Sequence, residues 1–478
     1  MAILGFHIVL TLVAATIFQK LTARYSFGRK ILSSGLFRYL PPSVEDLKVA
    51  AGHSSTTQNA KGRRKNARES NDAEGFLVPK SADIALVKVP VKAIDVLQLP
   101  LYVEYRWVVD LTVCALAVYA ISEFYCYLLY GAWSREVNLS IIWCLILVAF
   151  CLRALTTLTS ALFWTAEDSA ERSVVLCFGA VYFLLTMGFI MTADRAFDVG
   201  FDQAYSNFTG MANEFLKSQE LNLLRSERSP IVLYVILAIL FGCLAGMLVF
   251  PNFRYARMYT SALKYAAEKP FERLFLHLGF LSPVFVLLLW THPMKEHLVN
   301  GPRKICTEEQ LNSVRIFSVV LTAILRYVMY RPHLQAHLNL AFERMVELKQ
   351  EAGRMNSLEL QRMVFRFFSY LCAAALQYFV PVLLQLIFAL MLKTLGHYSW
   401  LTPFGLPTIF IPYLSGLNPS DPKVFAAGDV QNSLTSIYSL FNVTVNRGIW
   451  TFILITTTAI NFSLSLIGVV YNSRFERS

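Results

Sequence analysis

Five ionisable side chains sit inside long apolar runs: Asp110, Glu123, Arg153, Arg315 and Arg326. A charge in a hydrocarbon setting is costly, so such residues point to ion pathways, proton relays or pairs that lock helices together. At 1.5 Å per helical residue, Asp110 lies about 30 Å, Arg153 about 21 Å and Glu123 about 10 Å below one membrane surface. Arg153 falls between two carboxylates on a neighbouring antiparallel helix and could reach either by snorkelling. Arg326 shares that depth and competes for the same acids. Arg315 is one turn from the edge and is expected to snorkel outward. The spacing allows a charge relay or a buried pair that fixes helix register. A polar run late in the chain, Thr456, Thr457, Thr458, Asn461, Ser463 and Ser465, would line a hydrated path or hydrogen-bond neighbouring helices.

Other candidate chemistry is thinner. His333 and His337 are spaced i and i+4, which can chelate zinc, but no third ligand has matching spacing and a surface pair is expected. Asp194, Asp198 and Asp202 could attract calcium, yet they lack the glycine turn and twelve-residue frame of an EF-hand. A solvated helix end is the plainer expectation. The eight cysteines contain no C-x-x-C pattern, and seven of them fall in apolar runs as small fillers. Only Cys306 faces outward, so no disulfide framework follows. The sequence holds no H-E-x-x-H, G-x-S-x-G, Walker A or G-x-G-x-x-G motif. No catalytic, metal or cofactor-binding residues are assigned, and an enzyme is not expected.

The elements that must carry these residues follow from composition. Of 478 residues, 55% are hydrophobic and only 16% charged, with mean hydropathy +0.48. Soluble domains carry about a quarter charged residues. The apolar excess comes in blocks of roughly 20 residues, the length that crosses a bilayer. That excludes a soluble enzyme, a DNA-binding domain and a disordered scaffold. It implies an all-α, polytopic helical membrane protein with about nine transmembrane helices. The runs are Ala2–Phe18, Trp107–Tyr130, Leu139–Phe163, Ser173–Met191, Ile231–Phe250, Leu274–His292, Asn312–Tyr330, Phe367–Leu392 and Ile449–Tyr471. Pro283 and Pro381 interrupt two of them and should each free a carbonyl one turn back. The segment 401–417 is apolar but broken by Pro403, Gly405, Pro407, Pro412 and Gly416. It reads as a re-entrant or surface loop, although a crossing there would invert everything after it.

Basic residues give the orientation. No Lys or Arg precedes the first run, whereas Lys20, Arg24, Arg29 and Lys30 follow it, as in a retained anchor with its N-terminus outside. Alternating loops then place 29 of the 43 Lys and Arg on the cytosolic side, where the C-terminus also lies. The excess of +11 thus faces the inner leaflet and no longer suggests nucleic acid. N-x-S/T acceptors at Asn138, Asn207 and Asn442 all fall in loops expected on the outer, lumenal side. The implied units are an N-terminal anchor (1–19), a basic, partly disordered cytosolic loop (20–106) and a membrane bundle of spans 2–7 (107–330). Cytosolic amphipathic helices (331–366) and spans 8–9 with a lumenal loop (367–478) complete the chain. Lys61, Arg63, Arg64, Lys65 and Arg68 could meet anionic lipid or simply be a solvated linker. In 331–366, Leu334, Leu338, Ala341, Met345, Leu348, Ala352 and Met355 form one apolar helical stripe. That stripe would dock a partner, or lie on the leaflet or against the bundle.

Several stretches together are similar to the transmembrane protein 161 family: EYRWVVDLTV at 104–113, NLSIIWCL at 138–145, ERSVVLCFG at 171–179, HLQAHLNLA at 333–341, EAGRMNSLELQRM at 351–363, YLCAAALQY at 370–378 and LKTLGHYSW at 392–400. The resemblance runs end to end. It implies a non-enzymatic regulator of ion homeostasis or membrane excitability, linked in vertebrates to heart rhythm through potassium and calcium currents, to brain development and to oxidative-stress resistance. Ion-channel or other membrane-protein partners would be implied, in the endoplasmic reticulum or plasma membrane. A transporter or channel in its own right is the alternative, and a stress-protective membrane protein a further one. The matching stretches contain Asp110, Glu171, Arg172 and His333, which we expect to form one cytosol-facing cluster.

Overall fold

Apolar runs whose backbone must satisfy itself in lipid have helices as their solution, and the computed structural model of this chain is built that way. It describes residues 6–50, 76–80, 82, 84–128, 140–165, 169–218, 230–302, 304–351, 353–400 and 441–475. The chain begins with α1 (Phe6–Arg24), α2 (Phe27–Ser33), β1 (Phe37–Tyr39) and α3 (Val44–Ala50), followed by β2 (Leu77–Pro79), β3 (Lys88–Pro90) and α4 (Ala93–Leu97). The bundle follows with α5 (Tyr102–Leu128), α6 (Ser140–Thr165), α7 (Ser169–Ala196), α8 (Phe201–Ser218), α9 (Ile231–Tyr265), α10 (Pro270–Leu289), the short α11 (His292–Lys295) and α12 (Glu308–Val328). Last come α13 (Tyr330–Gln350), β4 (Arg354–Asn356), α14 (Ser357–Ser369), α15 (Leu371–Leu395) and α16 (Val443–Phe475).

Eight described helical stretches are long and apolar enough to cross a membrane, and they coincide with eight of the nine expected spans. The remaining one, the anchor, overlaps α1, whose residues Val9–Thr22 are apolar. Helix α9 runs 35 residues, well past the expected end at Phe250. Pro251 and the charges that follow read as a loop in sequence. The helix continues because Tyr255, Ala256, Met258, Tyr259 and Ala262 bury against the bundle. Pro283 leaves the Gly279 carbonyl without its helical donor, and the Ser282 hydroxyl donates to it at 3.1 Å.

Helix α15 is the axis of the bundle, with nearly every residue from Leu371 to Thr394 buried. It packs against α5, α6, α9, α12, α13 and α16. Lipid is as apolar as leucine, so close packing and polar bonds, more than hydrophobic burial, hold such helices together. The α7–α9 pair makes that packing plain. Gly242 and Gly246 on α9 face Gly179 on α7, where a Cβ on Gly242 would sit 3.0 Å from the Gly179 carbonyl oxygen.

One feature departs from an all-helical expectation. Two small antiparallel sheets pair β1 with β3 and β2 with β4, the second in register Leu77↔Asn356, Val78↔Met355 and Pro79↔Arg354. The first closes the 20–106 segment on itself, and the second joins it to the 331–366 segment. The apolar stripe of α13 is covered there by the chain itself. Leu47, Val78 and Ile84 form a separate cluster with Ala341, Met345, Leu348, Leu360 and Val364. Polar bonds close it: Gln335 Nε2 donates to the Phe37 carbonyl at 3.1 Å, Gln335 Oε1 accepts from its N–H at 2.9 Å, and Lys80 pairs with Glu351 at 2.6 Å. That Lys80 bond holds the Glu351 carboxyl below its ordinary range. The basic tract at 61–68 lies outside the described residues.

Candidate functional site

The helices place charged and polar groups at three levels of the bundle. At the end that carries the small sheets, Asp110 of α5 receives Ser26 Oγ at 3.1 Å and Gly28 N–H at 3.2 Å from the start of α2. Arg106, one turn earlier, pairs with it at 3.3 Å and also reaches the Thr22 carbonyl of α1. Asp110 thus pins the α1–α2 corner to α5. At the opposite end, Lys393 of α15 donates to Glu123 of α5 and lies over the Trp400 ring.

A second network at that opposite end joins four elements. Arg315 of α12 is 1% exposed, donates to Asp198 at 2.8 Å and to the Leu289 carbonyl at 2.8 Å, and stacks over Trp290. Lys295 bridges Asp198 at 3.1 Å and Glu308 at 2.7 Å. Burial alone would raise the Asp198 pKa, but the hydrogen bonds and charges of Arg315 and Lys295 outweigh it and lower the value. Arg315 therefore does not snorkel outward as its sequence position suggests. Its acid arrives from the turn after α7, a contact no local spacing discloses. The three aspartates that could have bound calcium have separate work. Asp194 accepts the N–H groups of Phe201 and Asp202 at the start of α8, and Asp202 accepts from Tyr234 Oη at 3.3 Å. Among the described residues no cluster has the makings of a metal site.

Between the two ends lies Arg326 of α12, 8% exposed, with its guanidinium 3.7 Å over the Tyr255 ring of α9. Cation–π contact of this kind strengthens when both partners leave water. Its Nε has no hydrogen-bond partner, and no described acid pairs with it. Tyr255 stacks in turn on His333 of α13, beside Tyr378 of α15, whose hydroxyl donates to the Arg326 carbonyl at 2.7 Å. His333 and His337 are both buried, so they are not the surface pair their spacing suggested. His333 Nδ1 meets the Met329 carbonyl and His337 Nε2 that of Phe367. Burial pushes His333 down to about 4 and His337 to about 3, leaving both neutral near pH 7.

Other expected groupings are not assembled. Arg153 pairs with neither Asp110 nor Glu123, because Arg106 and Lys393 already hold those acids. It is exposed on α6, in a shallow recess lined also by Glu104, Trp107 and Phe150. Arg172 donates to the Phe163 carbonyl at 2.8 Å across the α6–α7 connection, far from the His333 stack in its contacts. Asp110, Arg172 and His333 thus have three separate neighbourhoods, and Glu171 stands in the first turn of α7. The polar run of α16 bonds neighbouring helices: Asn252 Nδ2 donates to Asn461 Oδ1 at 3.0 Å, Ser465 Oγ to Asn252 Oδ1 at 3.0 Å, and Tyr182 Oη meets Ser463 Oγ at 2.6 Å. Asn207 sits within α8, and Asn442 caps α16 by accepting from Val445 N–H at 2.9 Å. Asn442 also touches Met211 of α8, so the two acceptors share one end of the bundle. Asn138 and the segment 401–417 lie outside the described residues.

Self-satisfied helices of membrane-crossing length, joined by buried ion pairs and small-residue seams, define a polytopic helical membrane protein. The family model described as predicted transmembrane protein 161AB matches residues 2–476, and the chain belongs to that family. No solved structure matches it.

Proposed function

We propose that this protein is a non-enzymatic regulator of ion homeostasis or membrane excitability, acting through membrane-protein partners. One observation supports this over conduction: the acids Asp110, Glu123 and Asp198, buried or half-buried, each pair with one of the chain's own cations. A conduit needs groups left free to exchange ions, whereas closed pairs serve helix register. The proposed orientation puts the Asn207 and Asn442 end outside and the sheet-bearing end in the cytosol. The 29-to-11 bias of Lys and Arg supports it. A transporter is the second reading, and Arg326 favours it as a buried cation with no described acid beside it.

The two separate experimentally. Purified protein in potassium- and calcium-loaded liposomes should give background flux, while depletion in excitable cells should alter whole-cell currents. Liposome flux that disappears in Arg326→Gln would establish the transporter instead.

A further inference from the structure

A groove of about 730 Å³ runs along the outside of the bundle between α5 and α12, with α15 as its floor. From Tyr378 to Leu390 its floor follows α15 for twelve residues, about 18 Å at 1.5 Å per residue. That is somewhat more than one leaflet of a hydrocarbon core about 30 Å thick. Its walls are apolar, with Leu116 from α5, Val320 and Ile324 from α12, and Val382 and Leu386 from α15. Its mouth at the sheet-bearing end is cationic: Lys30 and Arg331 both line it and both are exposed. Arg331 donates to Ser34 Oγ at 3.0 Å, which holds its guanidinium at the rim. Tyr25, Tyr327 and Tyr330 surround that rim, as aromatic residues do at a headgroup boundary. Deeper in, Arg326 lines the groove with an unpartnered Nε while more than nine-tenths buried.

We propose that this groove is a binding site for an anionic phospholipid. The phosphate sits between Lys30 and Arg331, and an acyl chain lies along α15. The Arg326 side chain forms part of the deeper wall beside that chain. Charge complementarity selects the occupant. Lys30 lies over the Tyr25 ring and Arg331 donates to Tyr330 Oη and Ser34 Oγ, with no described acid on either, so a neutral hydrophobe would leave the rim charge uncompensated and a free anion would leave the apolar walls unanswered. The site stands whether or not the protein conducts ions.

Native mass spectrometry of the delipidated full chain tests it, titrating phosphatidylglycerol against phosphatidylcholine with identical acyl chains. Wild type should prefer phosphatidylglycerol roughly ten- to thirtyfold, the scale two basic side chains set at a lipid surface. Lys30→Ala with Arg331→Ala should abolish the preference while keeping the weaker phosphatidylcholine binding. Ile324→Trp, on an exposed wall position, should weaken both lipids about tenfold by filling the groove. Ala120→Trp, across from it on α5, should do the same and guards against a folding defect in the first variant. Three results would each overturn the proposal: equal affinity for the two lipids in wild type, full binding in both tryptophan variants, or displacement of the lipid by millimolar inorganic phosphate alone.

Discussion

Arg315 shows how far a single side chain can be read. Its burden is visible in sequence, because an arginine within an apolar run must find a partner or leave the hydrocarbon. The partner is not visible. Asp198 is 117 residues away and meets it only because the turn after α7 folds under α12. Removing one member of such a pair strands the other, at a cost of about 3–5 kcal/mol when both are buried. Asp198 is 24% exposed, so the lower end applies. Asp198→Ala should therefore lose about 3 kcal/mol in thermal unfolding in detergent. Asp198→Ala combined with Arg315→Met should regain part of that, since no uncompensated charge remains. A single variant that melts like wild type would show the pair to be dispensable. The histidines make the opposite point. Their i, i+4 spacing looked like a surface feature, but α13 turns that face toward α9, α14 and α15, and both rings lose their solvent.

At the scale of elements, the apolar runs located eight helices closely, and the errors fall where charge and packing compete. Arg254, Arg257 and Lys264 suggested a loop, yet α9 keeps going because its other face is buried. The stripe on α13 was legible as a buried face, but its covering was not. Strands β2 and β4 are three residues each and carry no periodicity a reader could trust. Their pairing depends on a partner segment more than 270 residues away. The α7–α9 contact has a sequence trace in Gly242 and Gly246, spaced for a small-xxx-small seam. Gly242→Leu would overpack that seam, and we expect a loss of about 1–3 kcal/mol in detergent melting. Gly188→Leu on the same α7, with open space around it, should melt as wild type does. Equal behaviour of the two variants would argue against close α7–α9 contact.

At the scale of the molecule, the two ends of the bundle differ in chemistry. One gathers the Arg106–Asp110 pair, the exposed Lys30 and Arg331 and the small sheets; the other gathers the pairs of Asp198 and Glu123 with Arg315, Lys295 and Lys393 and the acceptors Asn207 and Asn442. The proposed orientation makes a direct prediction. In sealed microsomes with the cytosolic face outward, an impermeant maleimide should label Arg344→Cys at once. It should reach the native Cys306 only after detergent opens the vesicle. The reverse order would invert the topology. Pairing within each end also explains why Arg153 stands apart, since the acids expected for it are held by Arg106 and Lys393 before α6 can offer its arginine.

What the amino-acid sequence determined alone was the class of protein and the position of nearly every span. Each of these depends on local composition: about 20 apolar residues must cross, and their backbone must be helical to do so. What only the tertiary structure decided was which buried charge meets which acid, which segment covers α13, and that Arg326 lines a groove whereas Arg315 meets a carboxylate. Those facts depend on contacts between residues distant in the chain. Inside lipid they are set by close packing and hydrogen bonding rather than by hydrophobicity, which is the one signal a sequence displays most plainly.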